Sequence, residues 1–223
     1  MNFRKTSWEK SDLGCAARSR HLDSLRWLLW LPGRRIKVAQ DSFAVGVVCS
    51  SRGNVPLAET NFLRVLRLLE GGSPGASKKS LARYSLVAGS RNHLGLLFLN
   101  RGKAEQAAME FDKAIALRRE LLRLFPKERE NEVYLGGALC NRGHACADSD
   151  PASAALFYEE SLRILRQPVR TCECSYWDAN RESWWCEQLE ALGQCLGLEW
   201  VKLAPQFIDN AKQGLASLKP TSG

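Results

Sequence analysis

Ser50–Phe62 reads SSRGNVPLAETNF, and 49 residues further on Leu99–Phe111 reads LNRGKAEQAAMEF. Laid over one another without a gap, Arg52-Gly53 falls on Arg101-Gly102, Ala58 on Ala107 and Phe62 on Phe111. The match extends both ways, with Val45-Gly46-Val47-Val48 on Leu94-Gly95-Leu96-Leu97 and Leu66 on Ile115. A third copy starts 48 residues later, where Gly143 falls on Gly95 and Cys146 on Phe98. After one deletion in its turn, Ala154, Tyr158 and Leu162 take the places of Ala107, Phe111 and Ile115. Small and large side chains recur in a fixed order, so one structural unit is used at least three times.

The unit reads as a helical hairpin. Leu94, Leu97 and Phe98 lie at helical spacing on one face. Asn100-Arg101-Gly102 then interrupts the run, with the glycine giving the backbone freedom of a tight turn. Ala107, Phe111, Ala114, Ile115, Leu122 and Phe125 form the apolar stripe of a second helix that ends at Pro126. In the third copy, Asp150 is placed to cap and Pro151 to open the second helix. Gly95 and Ala107 permit close approach of the two backbones, and Phe111 is expected to be buried between helices while Glu110 and Lys113 face water.

The order of apolar-Gly, aromatic, Arg-Gly turn, Ala, Phe or Tyr, Ala resembles the tetratricopeptide repeat (TPR), in the long-repeat form found in many bacterial proteins. The ordinary period is about 34 residues, and helices of about 20 residues account for the longer one here. The resemblance implies an all-α fold, a right-handed solenoid of helical hairpins. Repeats are expected at about 39–70, 88–125 and 130–166, within a solenoid spanning 36–218. Residues 1–35 read as a basic extension with a short amphipathic helix near HLDSLRWLLWLPGRR, carrying Leu22, Leu25, Trp27 and Leu29, expected to dock on the first hairpin, with membrane-surface binding through its Trp and Arg content as the alternative. Residues 175–218 read as degenerate capping helices, with Ala204, Ile208 and Ala211 as a second-helix stripe and Pro205 at a helix start.

Composition agrees with a helical globular chain: 45% of residues are hydrophobic and 25% charged, and Val/Ile/Thr runs of period two are nearly absent. The charge is uneven. Residues 1–100 hold 16 Lys and Arg against 6 Asp and Glu, whereas 101–223 hold 16 against 18. A basic first half makes nucleic acid or an anionic surface the alternative ligand class. The start MNFRKTSWEKSD has no apolar stretch behind it, and Leu25–Pro32 is far shorter than the roughly 20 residues of a spanning helix. A cytoplasmic protein with reduced thiols and no membrane span is expected.

Catalytic signatures are missing from the sequence. Phosphate-binding glycine loops, HExxH and GxSxG do not occur, and His21, His93 and His144 lack a matching nucleophile or paired carboxylate. Cys172, Cys174, Cys186 and Cys195 have spacings too irregular for zinc, and Cys49 and Cys146 occupy the slot of Phe98 as small buried apolar residues. Trp177, Trp184, Trp185 and Trp200 beside Arg181 suit closure of the solenoid end better than base stacking. No catalytic, cofactor or metal site is expected.

A TPR-like array uses its first helices to line a concave face for peptides. TPR domains that hold acidic chaperone tails do so with Lys, Arg and Asn at fixed places. The matching places here hold Phe43, Asn92 and Cys140 in one row, and Val47, Leu96 and His144 in another. The resemblance therefore implies a largely apolar groove of Phe43, Val47, Asn92, Leu96, Leu99, Asn100 and His144, suited to a helix or extended segment of another protein, or equally to the chain's own N-terminal helix.

Overall fold

The computed structural model describes residues 12–24, 34–170 and 199–218, and these are helical and turn structure without a strand. The helices are α1 (Asp12–Ser24), α2 (Arg34–Ser51), α3 (Val55–Leu69), α4 (Lys78–Leu99), α5 (Ala104–Leu124), α6 (Arg129–Cys146), α7 (Pro151–Arg170) and α8 (Glu199–Ser217). None is long and apolar enough to cross a membrane. The chain divides at the Leu124–Phe125 boundary into two compact units.

Turn chemistry decides where the helices pair. In the first two hairpins Gly53 and Gly102 adopt φ of +74° and +71°, the left-handed region that glycine enters without steric cost. The Asn54 N–H then reaches back to the Cys49 carbonyl at 2.9 Å, and the Lys103 N–H to the Phe98 carbonyl at 2.9 Å. This is the six-to-one closure of a glycine-terminated helix, repeated 49 residues apart. The third turn is one residue shorter: the Asp150 N–H closes on the Cys146 carbonyl at 2.7 Å, with Ala147 still in the right-handed region. A shorter turn needs no left-handed residue, which explains why the third copy dispenses with glycine.

Helix starts are capped as their sequences require. The Asn54 side chain accepts from the Leu57 N–H at 3.3 Å, and Ser77 Oγ accepts from the Ser80 N–H at 3.1 Å. Asp150 accepts from both the N–H and the hydroxyl of Ser153, and Pro151 is the first residue of α7. Each cap satisfies a backbone donor that has no partner inside the helix.

Within the first unit, α2 pairs with α3, α4 with α5, and α4 also packs on α3. Ala58, Phe62, Ala107 and Phe111 are all fully buried. A Cβ added to Gly46 would sit 2.7 Å from a Phe62 ring atom, and one added to Gly95 would sit 2.5 Å from Phe111. The ring thus occupies a hole that only glycine provides, on the first helix of its own hairpin. In the second unit α6 pairs with α7, and Tyr158 fills the same hole at Gly143, at 2.7 Å.

Three details differ from expectation. Glu110 does not face water: its side chain is 14% exposed, because the buried Arg91 guanidinium bridges Glu110 at 2.6 Å and Glu70. A buried cation is tolerable only with such partners. Lys113 is 53% exposed as expected, and it also reaches Glu110. On α5 the buried leucine is Leu121, while Leu122 is half-buried. The helix expected over residues 21–35 falls largely outside the described residues, and the helix that is described, Asp12–Ser24, packs on α2 and α3. There Arg18 pairs with Asp41 at 3.3 Å, and Ser19 exchanges hydrogen bonds with Asn61. The side chain of Leu22, and Leu25, Trp27 and Leu29 altogether, lie outside the described residues.

Pro205 does not start a helix but stands inside α8, which begins at Glu199. Ala204 and Ala211 of that helix are buried, and Ile208 packs against the apolar clusters around Tyr158 and Leu165.

Candidate functional site

The aligned glycines give a register for the first helices. Each ring-filled glycine faces its own second helix, so residues one position after it and three before it form a column on a neighbouring stripe. In the first unit these are Val47 and Phe43 on α2, and Leu96 and Asn92 on α4.

Phe43 turns toward the neighbouring hairpin. Its ring stands 5.8 Å from that of Phe62 and 5.5 Å from the His93 imidazole, edge-on to both. A Cβ on Gly89 of α4 would lie 3.1 Å from it. Val47 is half-buried against the same core. Asn92, Leu96 and Leu99 are half-buried on one side of α4, at i, i+4 and i+7. Asn100 is exposed just beyond, with its N–H donating to the Leu96 carbonyl at 3.0 Å.

This side is nearly free of charge. From Ser42 to the end of α2 there is no charged residue, and from Tyr84 to the end of α4 there is only Arg91. Arg91 is committed to Glu70 and Glu110. Val47 on α2, and Asn92, Leu96, Leu99 and Asn100 on α4, are thus partly exposed positions on stretches nearly free of charge, while Phe43 packs toward Phe62 and His93.

His144 belongs to the second unit, where it is exposed. The Tyr158 hydroxyl and His144 Nδ1 are 2.8 Å apart, and the Cys140 thiol lies 3.5 Å from His144 Nε2. Burial pushes the Cys140 thiol up to about 12 and lowers the His144 pKa. The Tyr158 phenol is also pushed up to about 12, first by burial and then by the adjacent thiols. A thiol that stays protonated at neutral pH is not the thiolate that nucleophilic or ligand chemistry needs. The trio is a hydrogen-bonded bracket holding the imidazole at the end of α6.

Sequence reasoning overlooked the role of His93. Its ring stacks on Phe62 with centroids 4.9 Å apart and planes within 3° of parallel. Desolvation alone lowers its pKa to about 4. The available signal was its place on α4, two residues before Gly95, on the side that meets the preceding hairpin.

Among the described residues no group of three or more His, Cys, Asp or Glu is placed to hold a metal. Cys172, Cys174, Cys186, Cys195, Trp177, Arg181, Trp184, Trp185 and the side chain of Trp200 lie outside the described residues. Cys49, Cys140 and Cys146 are buried and not joined in disulfides.

No protein-family model matches the chain, and no curated protein matches it. Among solved structures, the crystal structure of BtubC (BKLC) from P. vanneervenii is similar at 15% identity, over 98% of this chain and 94% of that chain, with a TM-score of 0.38. A likeness at that level carries no argument about function.

Proposed function

We propose that the chain is a TPR-like repeat scaffold of the cytoplasm that binds a helix or extended segment of another protein and performs no catalysis itself. The uncharged first-helix face of Val47, Asn92, Leu96, Leu99 and Asn100 carries the reading. Half-exposed aliphatic side chains beside two asparagines suit an apolar stripe with a few backbone hydrogen bonds. Burial of that stripe contributes at roughly 25 cal/mol per Å², less the cost of immobilising two partners. The repeated glycine–ring locks support the scaffold part, since each hairpin closes its own two helices by the same contact.

The test is capture of protein partners by the full chain from its native cell, compared between wild type and Leu96→Glu. Met109→Glu is the control, because Met109 is 55% exposed on α5. Leu96→Glu is expected to abolish capture while helix content and melting temperature stay nearly unchanged, and Met109→Glu to leave capture intact. A folded Leu96→Glu chain that keeps every partner rules the face out. Loss of fold instead would make Leu96 a core residue. Affinity for DNA or RNA that falls steeply with salt would transfer the reading to the basic first half.

A further inference from the structure

Where α1 meets α2, positive charge gathers without matching acid. Residues 18–37 hold six Lys and Arg against one acidic residue, Asp23. The Asp41 carboxylate of α2 sits between two cations, Arg18 of α1 at 3.3 Å and Lys37 of α2 at 3.1 Å. One negative charge thus answers two positive ones at the contact between the helices. One turn from those cations, on the same stripes, stand His21 of α1 and Arg34 of α2. Arg20, His21, Arg34, Arg35 and Lys37 are all exposed.

The placement opposes helix formation. A helix N-terminus carries partial positive charge, so acidic side chains are favoured there and cations are not. Helix α5 follows that rule with Glu105 in its first turn, and α6 with Glu130 and Glu132. Helix α2 opens on Arg34 and Arg35 and has no acidic residue in its first turn. Cations kept in water at a local cost to the fold suit an anion outside the chain.

A nucleic acid and an anionic bilayer both present such charge, and two observations favour the bilayer. Among the described residues of the first unit no Phe, Tyr or Trp is exposed, so no ring is offered for base stacking. The sequence between the two helices, Leu25–Gly33, reads LRWLLWLPG, with four leucines, two tryptophans, one arginine and no acid. Leu and Trp flanked by cations is a composition that favours the interface of an anionic membrane.

We infer that the cationic face of α1 and α2 docks the chain on an anionic lipid surface, with Arg20, Arg34 and Arg35 against acidic headgroups. This face is separate from the α2 and α4 positions of the proposed protein-binding role, and each stands or falls without the other. A basic residue beside an anionic bilayer strengthens binding about fivefold, so three together act by roughly 100-fold.

The experiment is co-sedimentation of the full-length chain with vesicles of phosphatidylcholine, alone or mixed with phosphatidylserine. Wild type is expected to bind the mixed vesicles at least about tenfold more tightly, with affinity falling as salt rises. Arg20→Gln/Arg34→Gln/Arg35→Gln is expected to lose roughly 100-fold, and the triple substitution of the same residues by Lys to keep binding. Lys78 and Lys79 open α4 and Lys103 is exposed in the next turn, so Lys78→Gln/Lys79→Gln/Lys103→Gln removes the same charge elsewhere. That control is expected to keep binding within about threefold. The substituted side chains are exposed, so each variant should keep the circular dichroism of the wild type. If the Arg triple nevertheless loses helix, Arg35→Gln alone is read, with a loss of about fivefold expected and unchanged binding counting against the proposal. Equal binding to both kinds of vesicle, binding to neither, or equal losses in the two glutamine triples overturns the assignment. A short DNA or RNA duplex that binds more tightly than the mixed vesicles, and is lost in the same Arg triple, makes the partner a nucleic acid and overturns it too.

Discussion

Gly95→Ala sets two effects of opposite sign against each other. Alanine is the better helix former, by about 1 kcal/mol, so at an open helical site the change stabilises. At Gly95 the new Cβ would lie 2.5, 2.7 and 2.8 Å from Cε1, Cδ1 and Cζ of Phe111. Carbon atoms pack best at about 3.5–4.0 Å, so ring and helix must separate by about 1 Å. Phe111 is fully buried, and a close-packed interior yields little room for its ring to move. Overpacking of this kind costs about 1–3 kcal/mol, and so close a clash belongs at the upper end. A net loss of about 2 kcal/mol is expected, read as a lower urea midpoint in circular dichroism at 222 nm. Phe111→Ala alone should cost about 3–5 kcal/mol. In that background Gly95→Ala should instead gain up to about 1 kcal/mol, which makes the pair coupled by about 3 kcal/mol. Gly46→Ala and Gly143→Ala should behave alike, since each Cβ would lie 2.7 Å from its ring. Gly102 is the control: nothing lies within 4 Å, but its φ is +71°, so Gly102→Ala should cost about 1–2 kcal/mol whatever stands at position 111. A stabilising Gly95→Ala, or an additive cycle with Phe111→Ala, would refute the shared ring-and-hole unit.

His93 gives a pH dependence. Its folded pKa of about 4 lies below the ordinary 6.5, so its contribution is complete above pH 6.5 and is lost as pH falls through about 4. At about 1.4 kcal/mol per pKa unit this amounts to up to about 3 kcal/mol, measured as the stability difference between wild type and His93→Phe at pH 7 and pH 4. A difference that does not change with pH would contradict the burial of that ring. Arg91→Met leaves Glu70 and Glu110 without their shared cation and is expected to destabilise by about 3 kcal/mol, the lower end for a broken buried pair because Lys113 still reaches Glu110. Adding Glu110→Gln should recover part of the loss in melting temperature. Tyr158→Phe keeps the ring over Gly143 and Gly214 and removes only the bond to His144, so a loss of about 1 kcal/mol in urea unfolding is expected.

The helical hairpins were legible because their signals are local. A cap such as Asp150, a left-handed glycine such as Gly53 or Gly102, and a small residue opposite a ring act within a few residues or across one turn. What escaped depends on how the next helix lies. The charge on Glu110 looked solvated until the buried Arg91 on α4 required it. Pro205 looked like a helix start because proline suits that position, yet packing of Ala204 and Ala211 carries the helix past it. Tertiary contact outweighed local preference in both cases.

The same distinction divides the candidate face. Phe43 and Asn92 are equivalent in register, but equivalence along a helix says nothing of what stacks against it. Gly89 on α4 opens a space that the Phe43 ring enters, and Asn92 is left half-exposed. In the third copy two slots change together: the ring position becomes Tyr158 and the position after the glycine becomes His144. Their atoms meet at 2.8 Å, so the hydroxyl is matched by the imidazole that stands where Val47 and Leu96 stood. A tyrosine in place of a buried phenylalanine requires a polar partner, and the first helix supplies it one residue past the glycine. That paired change could be read from the alignment alone. It shows that the position after the glycine contacts the ring's far edge in the third copy, and places His144 beside the hairpin's own core as well as on its exposed face.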